Sequence, residues 1–317
     1  MFIRKAYFYP LLLVSIAQLG LESCRNKEGK SEKREEKVDL VAMKKQLEAT
    51  RKEINADDKE GKLGNLIGKR IKNGFNGSIL IAQRDVVLID TAAGYADLST
   101  KQINSTSSKF QLASISKTFT SLAIMQLVEA GKVNLDYEIQ VYYPKFPYKG
   151  ITVRSLLSHR SGLPYYEYSF DKIVRYEKKY PTNQEMIRWF EDANPPPAIH
   201  NRPDHYFAYN NTNFAILAAI VEKACNCQFQ DYVKKNIFDP LDMKDSFVQS
   251  QKNDTLYVEN RTYGYQYGRK LPFDFYDNIV GDKGVFSSSR DLFKWYQGLK
   301  NAKIVSKESL KEIFSPR

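Results

Sequence analysis

Between residues 114 and 130, apolar side chains, among them Phe119, Leu122, Ile124, Met125, Leu127 and Val128, occupy nearly the whole circumference of a helix, and Gly131 follows as its C-cap. Such a helix has no polar face to turn to water, so it must run through the middle of the fold under cover from the rest of the chain. The chain is long enough to provide that cover. Its 317 residues, 42% of them hydrophobic, support a sizeable core and, by length, about two domains. The same composition excludes a collagen-like repeat, a wholly disordered chain and a miniprotein held by disulfides.

Around this helix the period of the sequence changes. Leu40, Val41, Met43, Leu47 and Ile54 recur among Lys, Glu and Arg, which predicts a helix from residue 38 onward, and residues 63–71 predict a second that ends at Lys72-Asn73-Gly74. Residues 77–83 and 86–94 are apolar runs of strand length separated by Arg84-Asp85, the pattern of a hairpin. Further on, residues 153–159 predict a short helix broken by Gly162 and Pro164. Residues 213–224, 229–237 and 291–299 predict longer ones. The stretch 165–197, rich in aromatic and charged residues, has no strand alternation and predicts loops and short helices. No internal repeat is present.

The 48 Lys and Arg against 37 Asp and Glu leave a net charge of +11, but the basic residues are interleaved with acidic ones. That pattern describes a solvated surface and no nucleic-acid partner. Arg4 and Lys5 precede an apolar stretch, 6–21, interrupted by Tyr7, Tyr9, Pro10, Ser15 and Gln18. This is a signal peptide, too short and too interrupted to span a membrane. Leu21-Glu22-Ser23-Cys24 resembles a bacterial lipoprotein cleavage box, which assigns residues 1–23 to a lipoprotein-type signal peptide and Cys24 to lipidation. An ordinary signal peptide with an incidental Cys is the alternative. Residues 24–37, almost entirely polar, suit a tether between a lipid and a folded body, 38–317. The expected location is the bacterial cell envelope, with the membrane reached through the lipid anchor. Three Cys make no disulfide framework. Cys225 and Cys227 are one residue apart, a strained spacing for a disulfide, and both read as structurally incidental.

Several chemical signatures are missing, among them Gly-x-Ser-x-Gly, His-Glu-x-x-His and a complete phosphate loop. The three histidines, His159, His200 and His205, are a thin supply for a metal or a triad, and no metal or cofactor is expected. What remains is Ser114-Ile115-Ser116-Lys117 at the opening of the central helix. Residues three apart share a helix face, so Lys117 lies one turn beyond Ser114. The helix N-terminus adds positive potential, and apolar neighbours draw the amine out of water, which favours its neutral, proton-accepting form. A neutral amine beside a hydroxyl supplies what a serine nucleophile needs without histidine. The bland reading is an N-cap serine with a surface lysine. Ser169-Phe170-Asp171-Lys172 has the same spacing without a buried helix behind it. Tyr209-Asn210-Asn211, before another apolar helix, offers a phenol as second proton carrier and an amide for a substrate carbonyl, and Tyr276-Asp277-Asn278 is its decoy.

Four segments in order resemble the serine β-lactamase and penicillin-binding-protein superfamily, in the branch of class C β-lactamases, D-Ala-D-Ala carboxypeptidases and related esterases. They are residues 110–120 around Ser-Ile-Ser-Lys, 151–164 ending in Ser161-Gly162-Leu163-Pro164, 209–214 beginning Tyr209-Asn210-Asn211, and 281–292 beginning Gly281-Asp282-Lys283-Gly284. The resemblance implies an α+β fold of β-lactamase/transpeptidase type, in which an antiparallel sheet flanked by helices joins an all-helical region. It implies Ser114 as acyl-accepting nucleophile, Lys117 and Tyr209 as proton carriers, and Asn211 as the residue that orients the acyl side chain. The reaction class is acyl transfer to serine and hydrolysis, on a β-lactam, a D-alanyl peptide or an ester, without a cofactor.

The family's third element, Lys-Thr-Gly or His-x-Gly on a strand, does not occur after Asn211. The expectation is therefore a domain incomplete at its C-terminus, lacking the last strands and the final helix. The hairpin 77–94 would be left with an open edge and an exposed apolar face. In the family that strand supplies one of two oxyanion donors, and losing one donor costs about 10²–10³ in rate, so weak or absent activity is expected. A non-catalytic envelope lipoprotein that binds peptidoglycan fragments or a protein partner is the rival reading.

Overall fold

The computed structural model describes residues 40–177, 180–249 and 260–316. The chain separates into two units, 1–46 and 47–317. Of the first, the described residues 40–46 belong to the helix Leu40–Glu53, and the second carries every other element. The expected signal peptide over 1–23, Cys24 and the expected tether over 24–37 lie outside the described residues. Among the described residues no helix is long and apolar enough to cross a membrane.

The all-apolar segment forms the helix Ser116–Glu129, with Phe119, Ala123 and Ile124 fully buried. It begins two residues later than the periodicity predicts, because Ala113 takes φ 47° and residues Ala113–Ile115 form a separate 3₁₀ turn. Ser114 thus lies on the approach to the helix. A second all-apolar helix, Asn211–Cys225, lies against the first, with Thr212 to Val221 all buried. Two helices without a polar face cover one another only in part, and Val153–Leu157, Asn183–Asp192 and Phe229–Val233 close the remaining sides of Asn211–Cys225. Between residues 165 and 197 the chain forms the helices Tyr166–Ser169, Asp171–Glu177 and Asn183–Asp192.

The strands are antiparallel and divide among short sheets. Gly77–Gln83 pairs with Val86–Ala93 through the turn at Arg84 and Asp85, both at positive φ. The hairpin has no third strand among the described residues. Its faces are not bare, however: the helix Ala56–Lys72 packs on Val86–Ala93, and the helix Ser289–Lys300 on Gly77–Gln83. Val86 and Leu88 form a small core of their own with Ile54 and Ala56. In the sheet that matters for function, Val285–Ser287 is the middle strand, flanked by Phe110–Gln111 and Phe247–Val248.

The spacing argument at Cys225 and Cys227 requires correction, because the two are joined as a disulfide. Asn226 between them adopts the left-handed conformation (φ 52°, ψ 44°), and this brings their Cα atoms to 5.3 Å, within bridging range. Asn tolerates that conformation better than most residues, which makes the close spacing workable.

Candidate active site

The position of Ser114 follows from the three-stranded sheet. Leu112 N–H donates to Val285 O at 2.8 Å, so the strand Phe110–Gln111 stays registered on Val285–Ser287 up to the turn that presents the serine. Ala113 then turns the chain out of the strand in a left-handed conformation, which costs a non-glycine residue about 1–2 kcal/mol. Below the serine, Val285 N–H donates to Ser116 Oγ at 3.0 Å, and Thr120 Oγ1 donates to Gly281 O at 2.8 Å. These bonds pin residues 281–285 along the helix Ser116–Glu129 and bring the main-chain oxygen of Asp282 to Lys117.

The second wall comes from residues 209–213. Asn210 caps its helix by accepting from Thr212 N–H at 2.8 Å, while its Nδ2 donates to Leu163 O at 2.6 Å and its main-chain N–H to His159 Nδ1 at 3.1 Å. Thr212 Oγ1 donates to Pro164 O and Ser161 Oγ donates to Asn213 Oδ1. The 159–166 turn and the 207–213 loop are therefore zipped together. Gly162 is obligatory in this zipper: at φ 71°, a Cβ there would lie 1.9 Å from Asn201 O. His159 is held neutral, because burial and then the Lys117 charge push it down to about 4. With two N–H groups, of Asn210 and Asn213, facing its Nδ1, the ring serves as an acceptor and a support for the loop.

The two walls bring the four residues singled out in the sequence to one place. Lys117 Nζ lies 3.1 Å from Ser114 Oγ, 2.8 Å from Asn211 Oδ1 and 2.7 Å from Asp282 O, and Tyr209 OH donates to Ser114 Oγ at 2.7 Å. Lys117 is buried, and its Nζ also lies 5.0 Å from the centre of the Tyr209 ring. Ser114 and Tyr209 are exposed. Reactive atoms open to a ligand thus stand above an enclosed amine. The three N–H bonds of an ammonium are all matched to acceptors, and Ser114 Oγ receives two donors. For the serine to lose its proton to the amine, the Ser114–Lys117 contact must reverse, with Oγ donating to a neutral Nζ.

The decoys go elsewhere. Tyr276 OH donates to Glu167 O at 3.0 Å, and Ser169 ends the four-residue helix Tyr166–Ser169. Two contributors were not singled out in the sequence. One is the Asp282 carbonyl, a main-chain group that any residue type carries. The other is Glu167, whose Oε1 accepts from Asn211 Nδ2 at 2.7 Å from within an aperiodic stretch.

Residues 66–317 match the Beta-lactamase family. Over 259 residues the chain is 33% identical to penicillin-binding protein 4* of Bacillus subtilis (strain 168), an alignment covering 77% of this chain and 56% of that one. The octameric penicillin-binding protein homologue from Pyrococcus abyssi superposes with a TM-score of 0.65 at 29% identity, over 79% of this chain and 59% of the other. D-amino acid amidase from Ochrobactrum anthropi SV3 gives a TM-score of 0.63 at 26% identity, over 77% and 72%. The chain spans about half the length of the curated relatives it matches. A family match that runs through the helix Ser116–Glu129, the 209–213 segment and the 281–287 strand segment, with a relative one-third identical, places this chain in the serine β-lactamase and penicillin-binding-protein superfamily, to which it belongs by sequence and by fold.

Proposed function

We propose that the chain is an acyl-serine hydrolase with Ser114 as nucleophile. The observation that carries this reading is the convergence of an amine and a phenol on one exposed hydroxyl, Lys117 Nζ at 3.1 Å and Tyr209 OH at 2.7 Å from Ser114 Oγ. A binding protein has no need of two proton carriers on one serine. In the acylation step, Ser114 Oγ bonds to the substrate carbonyl carbon and its proton passes to the Lys117 amine. The bond from that carbon to the leaving nitrogen or oxygen then breaks, and the leaving atom takes a proton through Tyr209. Water repeats the sequence on the acyl-serine ester and restores the hydroxyl. The N–H of the Asn211 amide that is not given to Glu167 orients the acyl side chain.

The substrate class is a β-lactam, a D-alanyl peptide or an ester or amide of similar shape. The penicillin-binding relative and the D-amino acid amidase neighbour support the lactam and the amide within it. The proposed organisation is a signal peptide over 1–23, a lipid on Cys24, a tether over 24–37 and the hydrolase body over 38–317, held at the bacterial cell envelope. The Cys225–Cys227 disulfide supports export to an oxidising compartment.

The test is covalent labelling read by intact mass, with a fluorophosphonate and with a penicillin, so that slow turnover does not hide a single acylation. The expected result is one slowly formed adduct, mapped to Ser114 and abolished in Lys117→Met and Ser114→Ala. A folded wild-type chain that takes up neither probe refutes the hydrolase reading and leaves the non-catalytic envelope protein in its place.

A further inference from the structure

We propose that Glu167 is a positioning residue that fixes the Asn211 amide with its oxygen toward Lys117 and so holds the lysine on Ser114. The inference rests on the acyl-serine reading above. The two ends of a side-chain amide differ in hydrogen-bonding chemistry, and their partners assign them here. Asn211 Nδ2 lies 2.7 Å from Glu167 Oε1, and a carboxylate accepts only. Asn211 Oδ1 lies 2.8 Å from Lys117 Nζ, and an ammonium donates only. Glu167, Asn211, Lys117 and Ser114 thus form one directed chain of hydrogen bonds, with a negative charge at its far end.

Glu167 is itself held for this task. Its main-chain oxygen accepts from Tyr276 OH at 3.0 Å, and its second carboxylate oxygen is buried without a hydrogen-bond partner. A buried carboxylate oxygen left unmatched costs free energy, and the other oxygen of the same group meets the amide that faces the Lys117 amine. The charged and titratable groups around it are Asp282 and Lys283 from the 281–284 turn, Tyr166 beside it, and Tyr276 with Asp171 behind. Burial first, with Asp282 adding, pushes the Glu167 carboxyl above the usual carboxylate range, while the Asn211 bond and Lys283 oppose the rise.

Without this carboxylate the amide is free to turn its NH₂ toward Lys117, where donor meets donor. The test uses the full chain as wild type, Glu167→Gln and Glu167→Ala, with two readouts. The first is the side-chain amide resonance pair of Asn211, assigned by its loss in Asn211→Asp. In the wild type it should move as pH crosses the ionisation of Glu167, above the range of ordinary carboxylates, and in Glu167→Gln it should stay fixed. The second is the rate of adduct formation at Ser114. Glu167→Ala should lose at least about tenfold, the worth of one hydrogen bond to a charged group, and Glu167→Gln should keep most of the rate because its carbonyl accepts the same bond. An Asn211 pair that ignores pH in the wild type, or a folded Glu167→Ala that reacts at the wild-type rate, overturns the proposal. Should Glu167→Ala fail to fold, the wild-type and Gln titrations decide alone. A wild-type chain that forms no adduct refutes the acyl-serine reading, and the amide titration still decides what Glu167 does.

Discussion

The imidazole of His159 gives the fold a defined weakness to acid. The ring is buried, packed at a tilt 4.5 Å from the Tyr209 ring and 5.0 Å from the Phe214 ring, and its Nδ1 receives Asn210 N–H and faces Asn213 Nδ2. A proton on Nδ1 would set donor against donor on the loop that carries Tyr209. Burial, and then the Lys117 charge, push the folded value down to about 4, against an ordinary value near 6.5. Between those two pH values the unfolded chain binds a proton that the folded chain refuses, so stability falls as pH falls from 6.5 toward 4. Linkage gives a loss of about 2 kcal/mol between pH 7 and pH 5, rising to about 3 kcal/mol near pH 4. Half-buried carboxylates such as Glu167 and Glu222, whose values are raised by burial, work in the opposite direction, so the histidine must be isolated by difference. The comparison is His159→Gln, which keeps an acceptor beside Asn210 N–H and does not titrate. Urea denaturation of both proteins at pH 7 and pH 5, followed by tryptophan fluorescence, should show the wild type losing about 2 kcal/mol more than the variant. Equal losses in the two proteins would refute the reasoning.

Gly281 sits at φ 99°, and a Cβ there would lie 2.5 Å from Ala218 Cβ and 2.7 Å from Phe214 O. Gly281→Ala should lower stability by about 2–4 kcal/mol and slow labelling of Ser114, since it displaces the neighbouring Asp282 carbonyl that Lys117 holds. An unchanged melting temperature together with an unchanged labelling rate would contradict both expectations. Reduction of Cys225–Cys227 opens a loop of only three residues and should cost about 1–2 kcal/mol, read as a small fall in melting temperature and a mass gain of two hydrogens. Alkylation of both thiols in the native, unreduced protein would show that the bond does not form.

The parts of this molecule that a sequence reveals are those in which a residue type and its near neighbours carry the whole signal. Phe119, Leu122 and Ile124 demand a buried helix whatever else the chain contains, and the hairpin around Arg84-Asp85 declares itself by a change of period over a few residues. Ser114 and Lys117 are legible for the same reason, since three residues on a helical path set their approach. Tyr209 and Asn211 became candidates over Tyr276 and Asn278 only through the resemblance to a known family, and the fold brings the first pair to the serine. The illegible part is the support. Lys117 reaches a main-chain oxygen 165 residues away, Asn211 reaches Glu167 across 44, and His159 reaches the N–H of Asn210 across 51. Main-chain donors and acceptors are the same at every position, so no pattern of side chains marks Asp282 as the one whose carbonyl matters. Gly281 does leave a trace, because a position that must hold φ 99° against Ala218 and Phe214 excludes a side chain, and the residue it forces into place is Asp282. The Ser114–Lys117 pair is thus written locally and its geometry is written in distant backbone. A substitution at Gly281 or Glu167 therefore disturbs Ser114 without changing any residue that the motif contains.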